Sequence, residues 1–296
     1  MAAVVRTKGA TTPSELKKKS LVPYFLLAPG LLWLSLFFVA PIITLISTAT
    51  KTPGAGIGEF VQTYRWANYW EALHNSAGQI GRSFLFAFLA TCLALAIAYP
   101  LAYGIAFKSG KYKNILLVLV VAPFFCSFIL RTIAWKQILG QNGPVFTLLL
   151  DLHIVNPTTH LTASAPAVII GLAYNFLPFM TLPLYGSLER IDPRVLEASG
   201  DLYANAFTTF RKVTVPLSLP GVVAGTLLTF IPSAGDYVNA EILGNPSTKM
   251  IGNVINAQFL NTQDYPTAAA LSFILMIIIS IFVMIYIRKA GTEDLV

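Results

Sequence analysis

Long apolar runs alternate with short polar connections along this chain, and the alternation predicts membrane helices. Stretches free of Asp, Glu, Lys and Arg occupy 20–50, 83–107, 114–130, 152–188, 213–235 and 265–287. About 20 consecutive apolar residues cross a bilayer as a helix. These runs therefore predict six transmembrane helices, at roughly 24–49, 83–107, 113–138, 164–187, 213–236 and 266–288. Pro29 and Pro41 predict kinks near both ends of the first span. The predicted class is an all-α integral membrane protein, with a polar, basic tail at 1–20 and one membrane domain at 21–296.

Composition agrees with that pattern: 55% hydrophobic and 11% charged residues, with a mean hydropathy of +0.68, exclude a soluble domain of ordinary make-up. Charge sets the orientation. The tail, the connections near 108–113 and 189–212, and the C-terminus hold fourteen of the twenty Lys and Arg. Cytoplasmic loops carry such an excess, so both termini and the 189–212 loop are expected in the cytoplasm. The net charge of +7 flanks apolar spans, where basic residues anchor helices beside lipid headgroups, and this argues against nucleic acid. The first apolar run is too long for a signal-peptide core and reads as an uncleaved span.

Little enzymatic chemistry is encoded. Cys92 and Cys126 lie inside predicted spans, and His74, His153 and His160 have no metal-ligand spacing. Gly110-Lys111-Tyr112 lacks the first glycine and the Ser or Thr of a phosphate loop, so no nucleotide site is expected on this chain.

The one long amphipathic stretch is Glu189 to Gly221, ERIDPRVLEASGDLYANAFTTFRKVTVPLSLPG. Asp192 is placed to cap a helix with Pro193 at its first position. A continuous helix would set Val195, Leu196, Tyr203, Ala206, Phe207 and Phe210 on one arc, with Arg194, Glu197, Asp201, Asn205 and Thr208 opposite. Pro216 and Pro220 then predict a break or kink. This stretch resembles the cytoplasmic loop of the membrane subunits of ATP-binding-cassette importers: Glu-Ala-Ala, three residues, Gly, nine residues, Ile-x-Leu-Pro. Here it reads Glu197-Ala198-Ser199, three residues, Tyr203, nine residues, Val213-Thr214-Val215-Pro216. Tyr203 departs from the pattern, because that glycine lets two short helices turn sharply. Gly200 could supply the break instead, or the helix could run on.

The resemblance implies a permease fold with a coupling helix between the fourth and fifth spans. It implies a second permease subunit, two ATPase subunits holding ATP and Mg, and an external solute-binding protein, with no cofactor on this chain, in the bacterial inner membrane. ATPase coupling would fall to Asp192, Pro193, Arg194, Leu196, Glu197, Ala198, Ser199, Gly200, Tyr203 and Phe207.

Asp236, in FIPSAGDYVNAEILGNP, stands at the outer end of the fifth span beside Tyr237 and Glu241. Two carboxylates next to a ring suit an organic cation, with a cation–π contribution of about 0.5–2 kcal/mol. The alternative is that Asp236 caps a helix end and Glu241 is solvated. The run 230–255 resembles the membrane subunits of spermidine/putrescine importers, in which the corresponding acidic position stands at the external gate. Tyr174 and Asn175 sit in a proline-bearing span, where helix packing is the commoner role for a buried amide. Arg131 to Gln137 includes Trp135, and either snorkels to the outer surface or lines the mouth of a path. An importer for iron, sulfate or phosphonate, or a stand-alone secondary carrier, are the rival readings.

Overall fold

The computed structural model describes residues 22–54 and 58–290, so the basic tail and its Lys17, Lys18 and Lys19 lie outside the described residues. Two compact units divide the chain, Met1–Leu45 and Ile46–Val296. α1 (Val22–Leu34) passes through one π-helical turn (Ser35–Val39) into α2 (Ala40–Ala49), which crosses the division at Leu45. Pro41 accounts for the wide turn. Its ring would strike the carbonyl four residues back, and the Ala40 N–H reaches Ser35 O instead. Side chains from Phe25 to Val39 are exposed, as an apolar helix in lipid requires.

The second unit opens with a departure from an all-helical chain: β1 (Lys51–Pro53) pairs antiparallel with β2 (Phe60–Gln62). Next comes α3 (Ala67–Phe107), 41 residues and about 60 Å long. The aromatic segment around Trp70 thus belongs to the same helix as the second predicted span. No proline interrupts the chain between them.

After a 3-10 turn (Gly110–Tyr112), α4 (Lys113–Val121) runs into a second 3-10 turn (Ala122–Phe125) containing Pro123. Cys126 and Ser127 are extended, and α5 (Phe128–Ile138) leaves at 96°. The third predicted span is therefore a bent pair. In the following loop α6 (Pro144–Asp151) forms behind Gly143. The fourth predicted span is α7 (Ala165–Glu189), capped by Ser164 and carrying Pro178 and Pro183. Then come α8 (Pro193–Asp201), α9 (Ala206–Thr209), a π turn (Phe210–Thr214) and α10 (Val215–Leu217). A 63° bend at Ser218, between Pro216 and Pro220, leads into α11 (Leu219–Ala234). The chain ends with α12 (Val238–Leu243), a 3-10 turn (Pro246–Thr248), α13 (Ile251–Leu260) and α14 (Tyr265–Ala290). Among the described residues four helices are long and apolar enough to cross a membrane, or up to six if each bent pair is one span.

The core is a three-helix seam of α3, α7 and α11. Ala90, Ala94, Ala98 and Ala102 recur every four residues on α3, all fully buried, and pack in one cluster with Leu172, Met180, Leu184 and Leu188 of α7. Small side chains let helix backbones approach where lipid leaves no hydrophobic drive between helices. Across α7, Gly221 and Gly225 of α11 allow an equally close approach. A Cβ on Gly221 would lie 2.7 Å from Pro183 O, and one on Gly225 would lie 3.0 Å from Met180 O. Gly221→Ala should therefore cost about 1–3 kcal/mol through overpacking. The check is a lower thermal midpoint of the purified chain in detergent; an unchanged midpoint would mean that the helices separate freely.

Candidate functional site

The predicted site residues fall in two places. At the first, Asp192 Oδ1 accepts the Arg194 N–H at 2.9 Å and Pro193 opens α8, matching the cap signal in the sequence. The continuous helix does not form. Gly200 stays helical, and the chain turns at Tyr203, whose φ is +61°. Asn205 then restarts the helix by accepting the Thr208 N–H at 2.8 Å. The turn is fastened by Ser199, which gives its one hydrogen to Leu196 O at 2.7 Å. That leaves Thr209 to donate across to Ser199 Oγ at 2.8 Å, tying α8 to α9.

The break scatters the expected arc. Phe210 turns inward, edge-on to Tyr99 and Tyr103 of α3, with ring centroids 5.5 and 5.9 Å away. Tyr203 is 99% exposed, Leu202 81% and Phe207 70%. Arg194, Glu197, Ala198 and Asp201 are also exposed, Leu196 is half-buried, and Arg194 and Glu197 do not form an ion pair. Upstream, Lys113 of α4 donates to Glu189 of α7 at 2.6 Å and lies 5.2 Å from the Tyr185 ring centroid. A cavity of about 600 Å³ is lined from α7, the start of α8 and the bend before α11, by Pro183, Ser187, Arg190, Asp192, Val195 and Leu217.

The second place joins α5, α7 and α12. Asn175 is fully buried and donates from Nδ2 to Thr132 Oγ1 at 3.0 Å and to Asn239 Oδ1 at 2.9 Å. Asn239, also fully buried, donates its backbone N–H (2.8 Å) and Nδ2 (3.2 Å) to Asp236 Oδ1. Asp236 thus caps α12 with one oxygen, and no hydrogen bond to Oδ2 is made among the described residues. Glu241 is exposed, and its Oε2 accepts Asn253 Nδ2 at 2.9 Å; the same Nδ2 reaches Tyr237 O at 2.9 Å. Trp135 and Tyr174 meet edge to face, centroids 5.2 Å apart.

The structure therefore brings Asn175 and Asp236 together through Asn239, and sets Tyr237 and Glu241 on Asn253. Thr132, Asn239 and Asn253 were missed in the sequence, although an Asn three residues after Asp236 is itself a capping spacing. Arg131 packs against aromatic side chains of this chain. It is 9% exposed, its guanidinium carbon 4.7 Å from the Phe124 ring centroid and 5.6 Å from that of Phe128. Among the described residues no cluster of His, Cys, Asp or Glu is placed to hold a metal.

Two substitutions test this geometry. Asn175→Ala removes the Nδ2 donor that the buried Thr132 and Asn239 share, for a loss of about 1–3 kcal/mol read as a lower thermal midpoint in detergent. A double-mutant cycle with Asn239→Ala should return a coupling of roughly 0.6–1.7 kcal/mol; strict additivity would show that the amides act separately. Tyr203→Gly removes a left-handed strain of about 1–2 kcal/mol, so the midpoint should hold or rise. A fall would mean that the exposed ring has contacts of its own within the chain.

Comparison with known proteins places these elements. Residues 20–290 match the family model described as binding-protein-dependent transport system inner membrane component. The spermidine/putrescine transport system permease protein PotB of Haemophilus influenzae is 40% identical over 178 residues, 60% of this chain and 62% of that protein's own length. PotB of Escherichia coli is 34% identical over 260 residues, 87% of this chain and 94% of that protein. Among solved structures, a bacterial alginate ABC transporter in complex with an alginate pentasaccharide-bound periplasmic protein aligns with a TM-score of 0.70 at 16% identity, covering 91% of this chain and 93% of that one, a likeness of fold. The chain belongs to the family of inner membrane permease components of binding-protein-dependent transport systems.

Proposed function

We propose that this chain is the membrane-spanning permease subunit of an ATP-driven importer for polyamines of the spermidine and putrescine class. One observation carries the substrate class: 34% identity with the Escherichia coli PotB protein, extending over 94% of that protein. In this reading residues 21–296 form one transmembrane domain of six spans with both termini in the cytoplasm, which the distribution of Lys and Arg and the two bent helix pairs support. A second permease chain completes the path. An external solute-binding protein delivers the amine, and two ATPase subunits supply ATP hydrolysis with Mg, so this chain binds no cofactor.

The 189–212 loop is the coupling element. Its α8 presents Glu197 and Asp201 without an ion pair among the described residues, and its turn presents Leu202, Tyr203 and Phe207 to a partner. The ATPase groove takes the apolar tip and a basic residue meets Glu197. The joint at Lys113 and Glu189 carries a displacement of α8 into α4 and α7. Nearer the middle of α7, at Asn175, the buried amide cluster holds α12, and beside it Asp236 keeps one oxygen uncommitted for a passing ammonium. Trp135, Tyr174, Tyr237 and Glu241 flank that cluster. Closure of the ATPases rocks these spans as rigid bodies between inward-open and outward-open states.

The experiment is ATP-dependent uptake of labelled spermidine into vesicles carrying the complete assembly, with putrescine, iron and sulfate as competitors. Competition by putrescine alone is expected; spermidine left outside while the ATPases remain bound would discard the amine and keep the importer. In the same vesicles Glu197→Lys should abolish uptake with normal membrane insertion. Undiminished uptake would remove Glu197 from the coupling contact.

A further inference from the structure

Arg131 is a buried cation without a counter-charge. Its Nε is enclosed and takes no hydrogen-bond partner, and among the described residues the ion pairs are Arg65 with Glu71 and Lys113 with Glu189. Two phenylalanine faces are its visible compensation. They contribute about 0.5–2 kcal/mol, whereas an uncompensated charge away from water costs several kcal/mol.

Its depth narrows what could supply the missing charge. Lys113 marks the cytoplasmic edge of the bent pair in the proposed orientation. From there α4 and the 3-10 turn climb nine and four residues, about 20 Å, before the 96° elbow. Since α5 leaves almost at a right angle, Arg131 stays near that height, well inside a hydrocarbon layer about 30 Å thick. The phosphates of either leaflet are remote, and with Nε enclosed only the terminal guanidinium nitrogens are left for a partner to reach. Around the elbow Phe125 (88%), Leu130 (64%) and Ile129 (52%) form an exposed apolar rim. A charge needing a partner, ringed by apolar surface, is the anatomy of a buried contact between chains.

We infer that the elbow between α4 and α5 is a contact surface for the second permease chain, which supplies a carboxylate to Arg131 at membrane depth. The inference rests on the reading that two permease chains form the path. The like-signed cargo is a poor occupant, because an ammonium beside a guanidinium is repelled. An acidic side chain of the partner both neutralises Arg131 and can donate the rim's missing apolar cover from its own span.

The test uses the intact assembly. The tagged chain is purified in mild detergent and the second permease chain retained on it is measured for wild type, Arg131→Met and Arg131→Lys. Methionine fills similar volume and would relieve a lone buried charge, but it strands a partner's carboxylate. Retention should fall at least about tenfold in Arg131→Met and be largely kept in Arg131→Lys. Separately, each membrane-depth Asp and Glu of the second chain is changed to Leu opposite Arg131→Met. One such change should restore retention. Wild-type retention in Arg131→Met, the outcome if lipid or water serves the guanidinium, overturns the inference. So does a poorly retained Arg131→Met that no acidic substitution rescues, which covers a variant that simply misfolds. If wild type itself retains no second permease chain, the two-chain reading fails, and that result is distinct from the others.

Discussion

Wherever a chain leaves the helix away from solvent, its freed N–H and C=O groups need partners from within the protein, and this requirement shapes the structure between Gly235 and Ile251. Each break there is answered by a named side chain. Asp236 takes the Asn239 N–H, Asn245 takes those of Ser247 and Thr248, and Asn253 takes that of Met250. Ser83 of α3 accepts the Ile251 N–H at 2.7 Å, and Arg82 donates to Lys249 O at 2.9 Å. The last two come from about 170 residues away in sequence. The irregular segment is therefore held on α3 as firmly as a helix would be, and its polar residues have structural duties first.

That double duty bears on how Asp236 can act. A carboxylate whose only task was to meet a cation would be costly to keep buried in the empty state. Asp236 is instead anchored through Oδ1 by two hydrogen bonds from Asn239, which in turn is held by Asn175. The cap and the cation site are thus compatible rather than rival readings, because a carboxylate has two oxygens and the helix uses one. The same chain of bonds links α12 to α7 and α5, so the position of the carboxylate follows the position of three helices.

Much of this was legible in the sequence, for identifiable reasons. The apolar runs gave the long helices, because burial of backbone polarity in lipid leaves few alternatives. Asp192-Pro193 gave the start of α8, and Pro216 and Pro220 bracketed the bend at Ser218. Three features were not legible. The elbow at Cys126-Ser127 carries only Pro123 as a local signal, and its 96° angle depends on α7 packing against it through Phe124 and Phe179. The reach of α3 beyond 83 depends on Tyr69 meeting Phe273 of α14, a contact between distant segments. The turn at Tyr203 runs against local propensity, since left-handed backbone disfavours a β-carbon; the Ser199 to Thr209 bond that fastens it joins residues that no pattern pairs.

The turn at Tyr203 and the elbow at Arg131 share a physical logic. Each keeps a feature that the described residues do not repay: left-handed backbone beneath a fully exposed ring in one case, a buried guanidinium without an ion pair in the other. Local costs of one to several kcal/mol persist when something outside the local structure offsets them. For a subunit of a larger assembly the offset is naturally found in the neighbouring chains, and the two costs lie on different faces. Tyr203 projects from the loop proposed to meet the ATPase, and Arg131 sits at the membrane-depth elbow. The seam of alanines and glycines packs within the chain, whereas Tyr203 and Arg131 do not find their compensation among the described residues. The distinction separates what holds α3, α7 and α11 together from what selects the partners around them.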